Sequence, residues 1–194
     1  MKLLLVISGP DRVGKSTFIN ELTYYNGFHS GEFFIKHHRQ PPENYENVYD
    51  YHADSVLSWK HSGKPYAIFD RSWPCTYILE RLREGNSGHF DDLIDFEIQY
   101  YRDYGYTVFH LGILKPWYWS APHHLAELEQ FLGTGNQRLI RDNYTARMQE
   151  HENYSQELIN FYNTVTMFPH LLLQDEKYDV KAVWKEILTR VENR

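Results

Sequence analysis

Cysteine is almost missing from this sequence, because Cys75 is the only one among 194 residues. A single thiol excludes an internal disulfide and is typical of a protein kept in a reducing cytoplasm. Long apolar runs are missing as well, since the run at residues 3–7 is only five residues long. That length is too short for a secretory signal or a membrane span. We therefore expect a soluble, cytoplasmic protein with no membrane partner.

An excess of positive charge is also missing. The chain has 20 lysines and arginines against 26 aspartates and glutamates, which gives a net charge of -6. This balance argues against a broad, non-specific nucleic-acid surface, although it leaves room for a local basic patch. The sequence further lacks internal repeats, low-complexity tracts and any linker rich in serine, glycine and proline. We therefore predict a single domain over residues 1–194.

What the sequence does contain is a phosphate-binding motif. Residues 9–17 read Gly-Pro-Asp-Arg-Val-Gly-Lys-Ser-Thr and fit the pattern G-x-x-x-x-G-K-[ST] without a mismatch. The apolar run before the motif is typical of a buried strand, and Phe18, Ile19 and Leu22 after it recur at helical spacing. A strand, a glycine loop and a helix in this order are the context that the motif requires.

The residue types in the motif indicate how it would bind phosphate. Gly9 and Gly14 let the backbone turn so that its N–H groups face an anion, and the following helix adds the positive end of its dipole. Lys15 would reach the outer phosphates, and Ser16 would ligate Mg²⁺. We assign nucleotide binding to Gly9, Asp11, Arg12, Val13, Gly14, Lys15, Ser16 and Thr17. The alternative, a glycine-lysine turn that opens an ordinary helix, is disfavoured by the flanking pattern.

A second strand is predicted within residues 32–39, where an apolar centre passes into the basic end Lys36-His37-His38-Arg39. Open α/β sheets bind ligands outside the carboxyl ends of their strands, so Lys36 and Arg39 are candidates for binding the substrate. The two histidines would point to opposite faces of the strand, and no cysteine or carboxylate stands at ligand spacing. A structural metal site is therefore disfavoured here.

A third strand is predicted at residues 66–69, and it ends in Asp70-Arg71-Ser72. An acid at the end of a buried strand, one strand away from a phosphate loop, is placed to orient Mg²⁺ or to accept the proton of the acceptor. Asp70 is our first candidate for that catalytic role, and the choice between the two functions stays open. The alternative is an aspartate that caps a turn beside a solvent-exposed arginine.

The aromatic cluster Trp117-Tyr118-Trp119 follows a strand predicted at residues 106–111. It either stacks a nucleic-acid base or packs beneath a lid, and packing is favoured because aromatic side chains most often fill a core or an interface.

A mobile lid is predicted at residues 133–147. Residues 133–136 form a Gly-Thr-Gly-Asn break, and the segment that follows contains Arg138, Arg141 and Arg147. Arginines entered through a glycine hinge suit a lid that closes over phosphates and stabilises developing charge. An exposed helix face with solvated charges is the alternative.

Strand and helix signals alternate along the whole chain. The fifth strand is predicted at residues 171–173, and Asp179 is predicted to cap the final helix. Other helices are predicted at about residues 43–61, 77–82, 91–104, 125–132 and 137–162. This alternation predicts a three-layer α/β fold in which helices cover both faces of a five-stranded parallel sheet.

The motif at residues 9–17, Asp70-Arg71-Ser72 after the third strand and the arginine segment 138–147 occur in the order seen in one branch of the P-loop kinases. Over almost its whole length the sequence resembles thymidylate kinases and deoxynucleoside kinases. The resemblance implies that ATP and Mg²⁺ are used to transfer the γ-phosphate to a deoxynucleoside or its monophosphate. It also implies that Lys15 and the loop hold ATP, that Ser16 and Asp70 organise Mg²⁺, and that Arg71 holds the acceptor.

The same resemblance implies roles for two further segments. Arg138 and Arg141 would act as catalytic residues from the lid. Gln174 and Asp175, which follow the last strand, would lie beside the adenine as part of the nucleotide-binding site.

One departure from the family pattern leaves the acceptor open. Thymidylate kinases usually carry a glycine-rich turn after the second strand, where this chain has Lys-His-His-Arg-Gln-Pro-Pro at residues 36–42. The stretch is similar to P-loop kinases of bacteriophages, some of which act on free nucleotides and some on hydroxymethylated pyrimidines in DNA. A phage protein of this kind would work in the host cytoplasm.

Three functions therefore stand side by side. The first is a kinase of a deoxynucleoside or its monophosphate. The second phosphorylates the hydroxymethyl group of 5-hydroxymethyl-deoxyuridine in phage DNA, with residues 117–119 stacking an extracted base. The third is a nucleotide-binding switch that hydrolyses ATP slowly or not at all, against which Asp70, Arg71 and the lid arginines count. The oligomeric state is left open, a homodimer included.

Overall fold

Five parallel strands form the centre of the protein. They are β1 (Lys2–Ser8), β2 (Phe33–His37), β3 (Tyr66–Asp70), β4 (Tyr106–Ile113) and β5 (His170–Leu173), in the spatial order β2-β3-β1-β4-β5. The computed structural model describes residues 2–25, 30–38, 48–84, 95, 98–99, 104–164 and 169–193. Each neighbouring pair of strands is parallel, so the carboxyl ends of all five meet at one edge. The predicted five-stranded parallel sheet is confirmed.

The central strand β1 is buried on both faces. Leu4 and Val6 pack into the hydrophobic core on one side of the sheet, whereas Leu3, Leu5 and Ile7 pack into the core on the other side. This division follows from the alternation of side chains along a strand. It explains why the sequence shows a continuous apolar run in place of a polar–apolar alternation.

Helices cover the two faces of the sheet, as predicted. Helices α1 (Lys15–Asn20) and α6 (Val180–Glu192) pack on one face, and α2 (Val48–Ser62), α3 (Trp73–Glu84) and α5 (Gln137–Thr164) pack on the other. Helix α4 (Trp117–Leu132) packs against α5. The predicted cap of α6 is present, because the Asp179 carboxylate accepts hydrogen bonds from the backbone N–H groups of Lys181 and Ala182. Within the described ranges, no helix is both long and apolar enough to cross a membrane.

Four helices differ from their predicted bounds or cannot be compared with them. Helix α1 is followed by a π-helical turn at Glu21–Tyr25, and α2 is described only from Val48. Most of the helix predicted at residues 91–104 lies outside the described residues. Helix α4 begins at Trp117, about two turns before the predicted start, and it continues through Pro122. Pro122 is the sixth residue of this helix and lies beyond the four N–H groups that have no helical partner, so the helix lacks the backbone hydrogen bond that residue 122 would donate to the Tyr118 oxygen.

Candidate active site

The phosphate loop connects β1 to α1 through two glycines that other residues could not replace without strain. A Cβ atom on Gly9 would lie 2.2 Å from the backbone oxygen of Ile113, so strand β4 passes too close for any side chain. Gly14 has a φ of 95°, a conformation that L-residues rarely adopt. Helix α1 begins at the next residue. The loop therefore presents its backbone at the helix amino terminus, where an anion is favoured.

Lys15 is buried inside this loop. Its Nζ donates hydrogen bonds to the backbone oxygens of Gly9, at 2.8 Å, and of Pro10, at 2.5 Å. Burial lowers the pKa of Lys15 below its usual value, while the nearby Cys75 and Asp70 oppose the shift. A phosphate beside the ammonium would favour the charged form further, because an opposite charge in a poorly solvated place has a strong effect. Lys15 thus lies close to the carboxylate at the end of β3.

The remaining loop residues divide between core and surface. Val13 is fully buried and packs with α1 and α6, so its role is to anchor the loop. Ser16 and Thr17 lie exposed in the first turn of α1. Asp11 and Arg12 are half-exposed and form ion pairs with residues outside the loop, which are described below.

Asp70 occupies the last position of β3, and it pairs in register with Ile7 of β1 and His37 of β2. Its side chain is only 11% exposed. The Oδ2 atom accepts a hydrogen bond from His37 Nδ1 at 3.0 Å. The Oδ1 atom is buried and accepts no hydrogen bond from any described residue. A buried carboxylate oxygen without a donor is costly, so this atom is expected to gain a partner when the site is filled.

These residues fit a bound Mg²⁺. The unpartnered Oδ1 of Asp70 and the exposed hydroxyl of Ser16 are hard oxygen ligands of the kind that Mg²⁺ prefers. The cation usually takes only one or two protein ligands and completes its shell with phosphate oxygens and water. No cluster of three or more His, Cys, Asp or Glu residues suited to a metal occurs in the part of the chain that the structure describes.

Arg71 links the end of β3 to the phosphate loop. Its backbone has a φ of 58°, and its N–H donates to the Ile7 oxygen at 3.0 Å. A non-glycine residue in this region costs about 1–3 kcal/mol, a kind of strain that concentrates at functional sites. The guanidinium is 43% exposed and forms an ion pair with Asp11. Arg71 is therefore accessible from solvent while it stays next to the loop.

Of the two basic residues predicted to bind the substrate from β2, Lys36 lies within the described residues. Lys36 is half-buried, and its ammonium lies 5.4 Å from the centre of the Tyr51 ring, on the side of the sheet covered by α2. Arg39 lies outside the described residues. Lys36 is thus close to the carboxyl edge of the sheet and one strand away from Asp70.

Gln174 and Asp175 are exposed and directly follow β5 at the carboxyl edge of the sheet. The same loop contains Tyr178, whose hydroxyl would lie 3.8 Å from a Cβ atom on Gly14. Lys115 donates a hydrogen bond to the backbone oxygen of Glu176 at 2.8 Å, which joins this loop to the end of β4. The predicted adenine loop is therefore adjacent to the phosphate loop.

The predicted lid arginines lie at the start of α5. The side chain of Arg138 is 94% exposed and pairs with Asp142 one turn along the helix. Arg141 lines a shallow surface pocket together with Tyr144 and Leu125. Gly133, at the predicted hinge, has a φ of 76° and marks the end of α4. Between described residues, the α5 arginine that connects to the phosphate loop is Arg147, through Glu127.

No protein-family model and no curated protein matches the sequence. Solved structures do match its architecture. Polyphosphate kinase 2 from Arthrobacter aurescens TC1 is 12% identical with a TM-score of 0.71, and the match covers 98% of this chain and 67% of that one. A putative polyphosphate kinase 2 from Pseudomonas aeruginosa PA01 is 19% identical with a TM-score of 0.61, and the match covers 99% of this chain and 43% of that one. Deoxyadenosine kinase from M. mycoides is 18% identical over 98% of each chain, with a TM-score of 0.44.

The protein has the fold of P-loop kinases. It spans about two thirds of the length of the Arthrobacter protein and less than half of the Pseudomonas one. Within this fold, the phosphate loop follows the central strand and Asp70 ends the adjacent strand.

Sequence reasoning missed three residues of the candidate site. His37, considered only as a metal ligand, contacts Asp70 because both end neighbouring strands in register. That pairing was accessible from the strand assignment alone. Tyr178 and Glu127 had no such signal, because the loop residues that they approach, Gly14 and Arg12, are more than a hundred residues away in the sequence.

Proposed function

We propose that the protein is an ATP-dependent phosphotransferase that moves the γ-phosphate to a deoxynucleoside or a deoxynucleoside monophosphate. The observation that carries the proposal is the meeting of Lys15, Asp70 and Arg71 at the carboxyl edge of two adjacent strands. A cation for the donor, a carboxylate with a free oxygen and a second accessible cation are the groups that phosphoryl transfer uses.

On the donor side, the N–H groups of the loop and Lys15 would bind the phosphates of ATP. Ser16 and Asp70 would hold Mg²⁺, and Thr17 with Gly14 would shape the start of the helix around the phosphates. When bound, Mg²⁺ would neutralise charge on the phosphates. The loop at Gln174 and Asp175 would lie beside the adenine.

On the acceptor side, Arg71 would hold the acceptor, with Lys36 and Arg39 as further contacts. Asp70 would either orient the cation or take the proton of the attacking hydroxyl. Its contact with His37 keeps one carboxylate oxygen occupied and leaves the other for this task. Arg138 and Arg141 would approach the transferring group when the lid closes.

A second candidate acceptor is the hydroxymethyl group of a modified pyrimidine in phage DNA. The observation in its favour is the exposure of Tyr118 and Trp119, two residues in the first turn of α4 that are 62% and 37% exposed. Exposed aromatic rings can stack an unpaired base. Trp117 differs from them, because it stacks on His124 of α4 and contacts Tyr144 and His151 of α5. The net charge of -6 places this candidate second.

The deciding experiment is an acceptor panel with γ-labelled ATP. The panel contains the four deoxynucleosides, their monophosphates, DNA with 5-hydroxymethyl-deoxyuridine and unmodified DNA. Inorganic polyphosphate is added both as an acceptor and as a donor in place of ATP, because two structural neighbours are named polyphosphate kinases. Label in a nucleotide product would support the first candidate, and label in modified DNA alone would support the second. Slow ATP hydrolysis without any labelled acceptor would support the third function, the nucleotide-binding switch.

The variant Lys15→Ala checks that transfer comes from the phosphate loop. We expect turnover to fall about 10²–10³-fold, because a cation that stabilises transition-state charge has an effect of that size. Lys185→Ala, an exposed lysine on α6, is the control and should turn over like the wild type. Unchanged turnover in Lys15→Ala would remove the phosphate loop from the mechanism.

A further inference from the structure

Glu127, in the middle of α4, joins an arginine of the phosphate loop to an arginine of α5. Its Oε1 lies 3.3 Å from Arg12 Nη2, and its Oε2 lies 2.7 Å from Arg147 Nη1. The carboxylate is 30% exposed, and the two guanidiniums are 50% and 32% exposed. One carboxylate therefore spans two cations that belong to different parts of the fold.

The carboxylate is the charged partner of both arginines. The hydrogen bond from Arg147 lowers the pKa of Glu127, and the charges of Arg12 and Arg147 lower it further against the effect of burial. His124 also lies 3.3 Å from Arg147, but burial lowers its pKa, so at neutral pH it accepts a hydrogen bond without adding positive charge. The cluster of Arg12, Glu127 and Arg147 thus has two positive charges and one negative charge.

The position of Arg12 connects this cluster to the nucleotide site. Arg12 lies three residues before Lys15, and its backbone has a φ of 64°. Such strain costs about 1–3 kcal/mol and persists only where the surroundings fix it. A carboxylate presents two oxygens to guanidinium groups in much the way that a phosphate does, and both anions form charge-assisted hydrogen bonds with arginine.

We propose that Arg12 and Arg147 form an anion subsite at the rim of the phosphate loop and that Glu127 stands in for the phosphate group that this subsite binds. The proposal rests on the proposed function. It adds that the phosphate chain of the donor extends beyond Lys15 into this subsite. Binding of the phosphate chain displaces Glu127 from Arg12, so occupancy of the loop is coupled to the position of α4.

The proposal can be tested by whether one substitution, Glu127→Gln, raises or lowers the affinity for the ligand. If Glu127 competes with the ligand, Glu127→Gln removes the competitor and strengthens binding. If Glu127 is instead a brace that holds the two arginines in place, the same change weakens binding. Half-exposed ion pairs contribute little individually, so we expect Glu127→Gln to bind MgATP about two- to fivefold more tightly. Arg147→Ala should bind MgATP about tenfold more weakly, because a hydrogen bond to a charged group is lost.

The experiment is titration calorimetry with MgATP and, separately, with inorganic tripolyphosphate. The variants are Glu127→Gln, Glu127→Asp and Arg147→Ala. Glu127→Asp keeps the negative charge but moves it away from the arginines by the length of one methylene group, so this variant should also bind both probes more tightly. It provides a second test in case Glu127→Gln does not fold. Glu157→Gln is the matched control, because Glu157 bridges α5 to Arg81 of α3 at 2.7 Å. This control should bind both probes like the wild type.

The outcomes separate this inference from the proposed function. Equal or weaker binding in both Glu127 variants, with the control unchanged, overturns the anion subsite and leaves the kinase proposal intact. Failure of the wild type to bind MgATP overturns the kinase proposal, and the tripolyphosphate titration still tests the subsite. Tighter binding of tripolyphosphate by both Glu127 variants, together with its loss in Arg147→Ala, supports the subsite.

Discussion

At the scale of single residues, Asp70 has one occupied and one unoccupied carboxylate oxygen, and this asymmetry makes its function testable. Asp70→Asn preserves the shape and the contact with His37 but removes the negative charge. We expect ATP binding to persist and turnover to fall about 10²-fold or more, the usual contribution of a positioned acid or base. The measurement is steady-state kinetics alongside direct titration of ATP.

Varying the metal in the same assay distinguishes the two functions of Asp70. If the carboxylate orients the cation, higher Mg²⁺ or Mn²⁺ concentrations should restore part of the lost turnover. If it accepts a proton, the loss should persist at every metal concentration. Wild-type turnover in Asp70→Asn would contradict both functions.

Gly9 allows a prediction about stability that does not depend on any ligand. In Gly9→Ala the new methyl would lie 2.2 Å from the Ile113 oxygen, and a backbone atom of a central strand cannot move aside easily. Overpacking of this kind typically costs about 1–3 kcal/mol. We expect the free energy of unfolding in urea to fall by about that amount. Gly31→Ala is the control, because a Cβ there would meet no atom within 4 Å. Equal midpoints for the two variants would contradict the close approach of β4.

At the scale of elements, the contact between β2 and α2 contains two buried histidines. His38 Nε2 donates to Ser55 Oγ at 3.0 Å, and the rings of His38 and His52 lie 4.8 Å apart. Burial lowers the pKa of His38 to about 3 and that of His52 to about 4. Both rings are therefore neutral in the folded protein at every pH at which it is expected to work.

This histidine pair predicts acid lability. The unfolded chain protonates its histidines near pH 6.5, whereas the folded protein resists protonation until about pH 4. The free energy of unfolding therefore has its full value above pH 6.5. It decreases as the pH falls between these two values, by roughly 3 kcal/mol for His52 alone. Denaturation in urea at several pH values should show a shallower loss for His52→Gln. His61→Gln, an exposed histidine of the same helix, should follow the wild type. Parallel curves for wild type and His52→Gln would contradict the prediction.

The sequence predicted the elements where local signals agree and missed those that depend on tertiary contacts. Strand β1 and the cap of α6 followed from an uninterrupted apolar run and from an aspartate before a helical stripe. Helix α4 was predicted too short, because Pro122 and the aromatic residues before it do not favour a helix locally. Its first turn is held by packing, since Trp117 stacks on His124 and donates a hydrogen bond to Tyr144 of α5.

At the scale of the whole molecule, the candidate site also contains one part that was predictable from the sequence and one part that was not. The phosphate loop and Asp70 were predictable, because a motif and the end of a strand are local features and a parallel sheet brings strand ends together. The bridge from Arg12 through Glu127 to Arg147 was not, because Arg12 lies more than a hundred positions from Glu127 and no local pattern links residues so far apart. Tertiary contacts of this kind join α4 and α5 to the phosphate loop.

The helix pair α4 and α5 leads to a prediction about closure of the molecule. Residues 133–147 are entered through Gly133, and Arg138 and Arg141 lie on one exposed side at the start of α5. We expect hydrogen exchange across residues 133–147 to slow when a bisubstrate analogue binds, because the arginines then gain an anionic partner. Replacement of either arginine by alanine should lower turnover more than ATP affinity, by about 10³-fold, if the side chain stabilises the transferring group.

Two substitutions sharpen this prediction. Lysine at position 138 or 141 should restore turnover only in part, because it lacks the planar fork that holds two oxygens at once. Arg190→Ala is the control, since Arg190 pairs with Glu186 on the exposed surface of α6 and should not affect turnover. Equal protection of residues 133–147 in both states, with normal turnover in Arg138→Ala and Arg141→Ala, would show that the start of α5 is a solvated helix face. The phosphate transfer proposed for Lys15 and Asp70 would then proceed without a lid, and Arg147 would remain as an α5 arginine that is linked to the phosphate loop through Glu127.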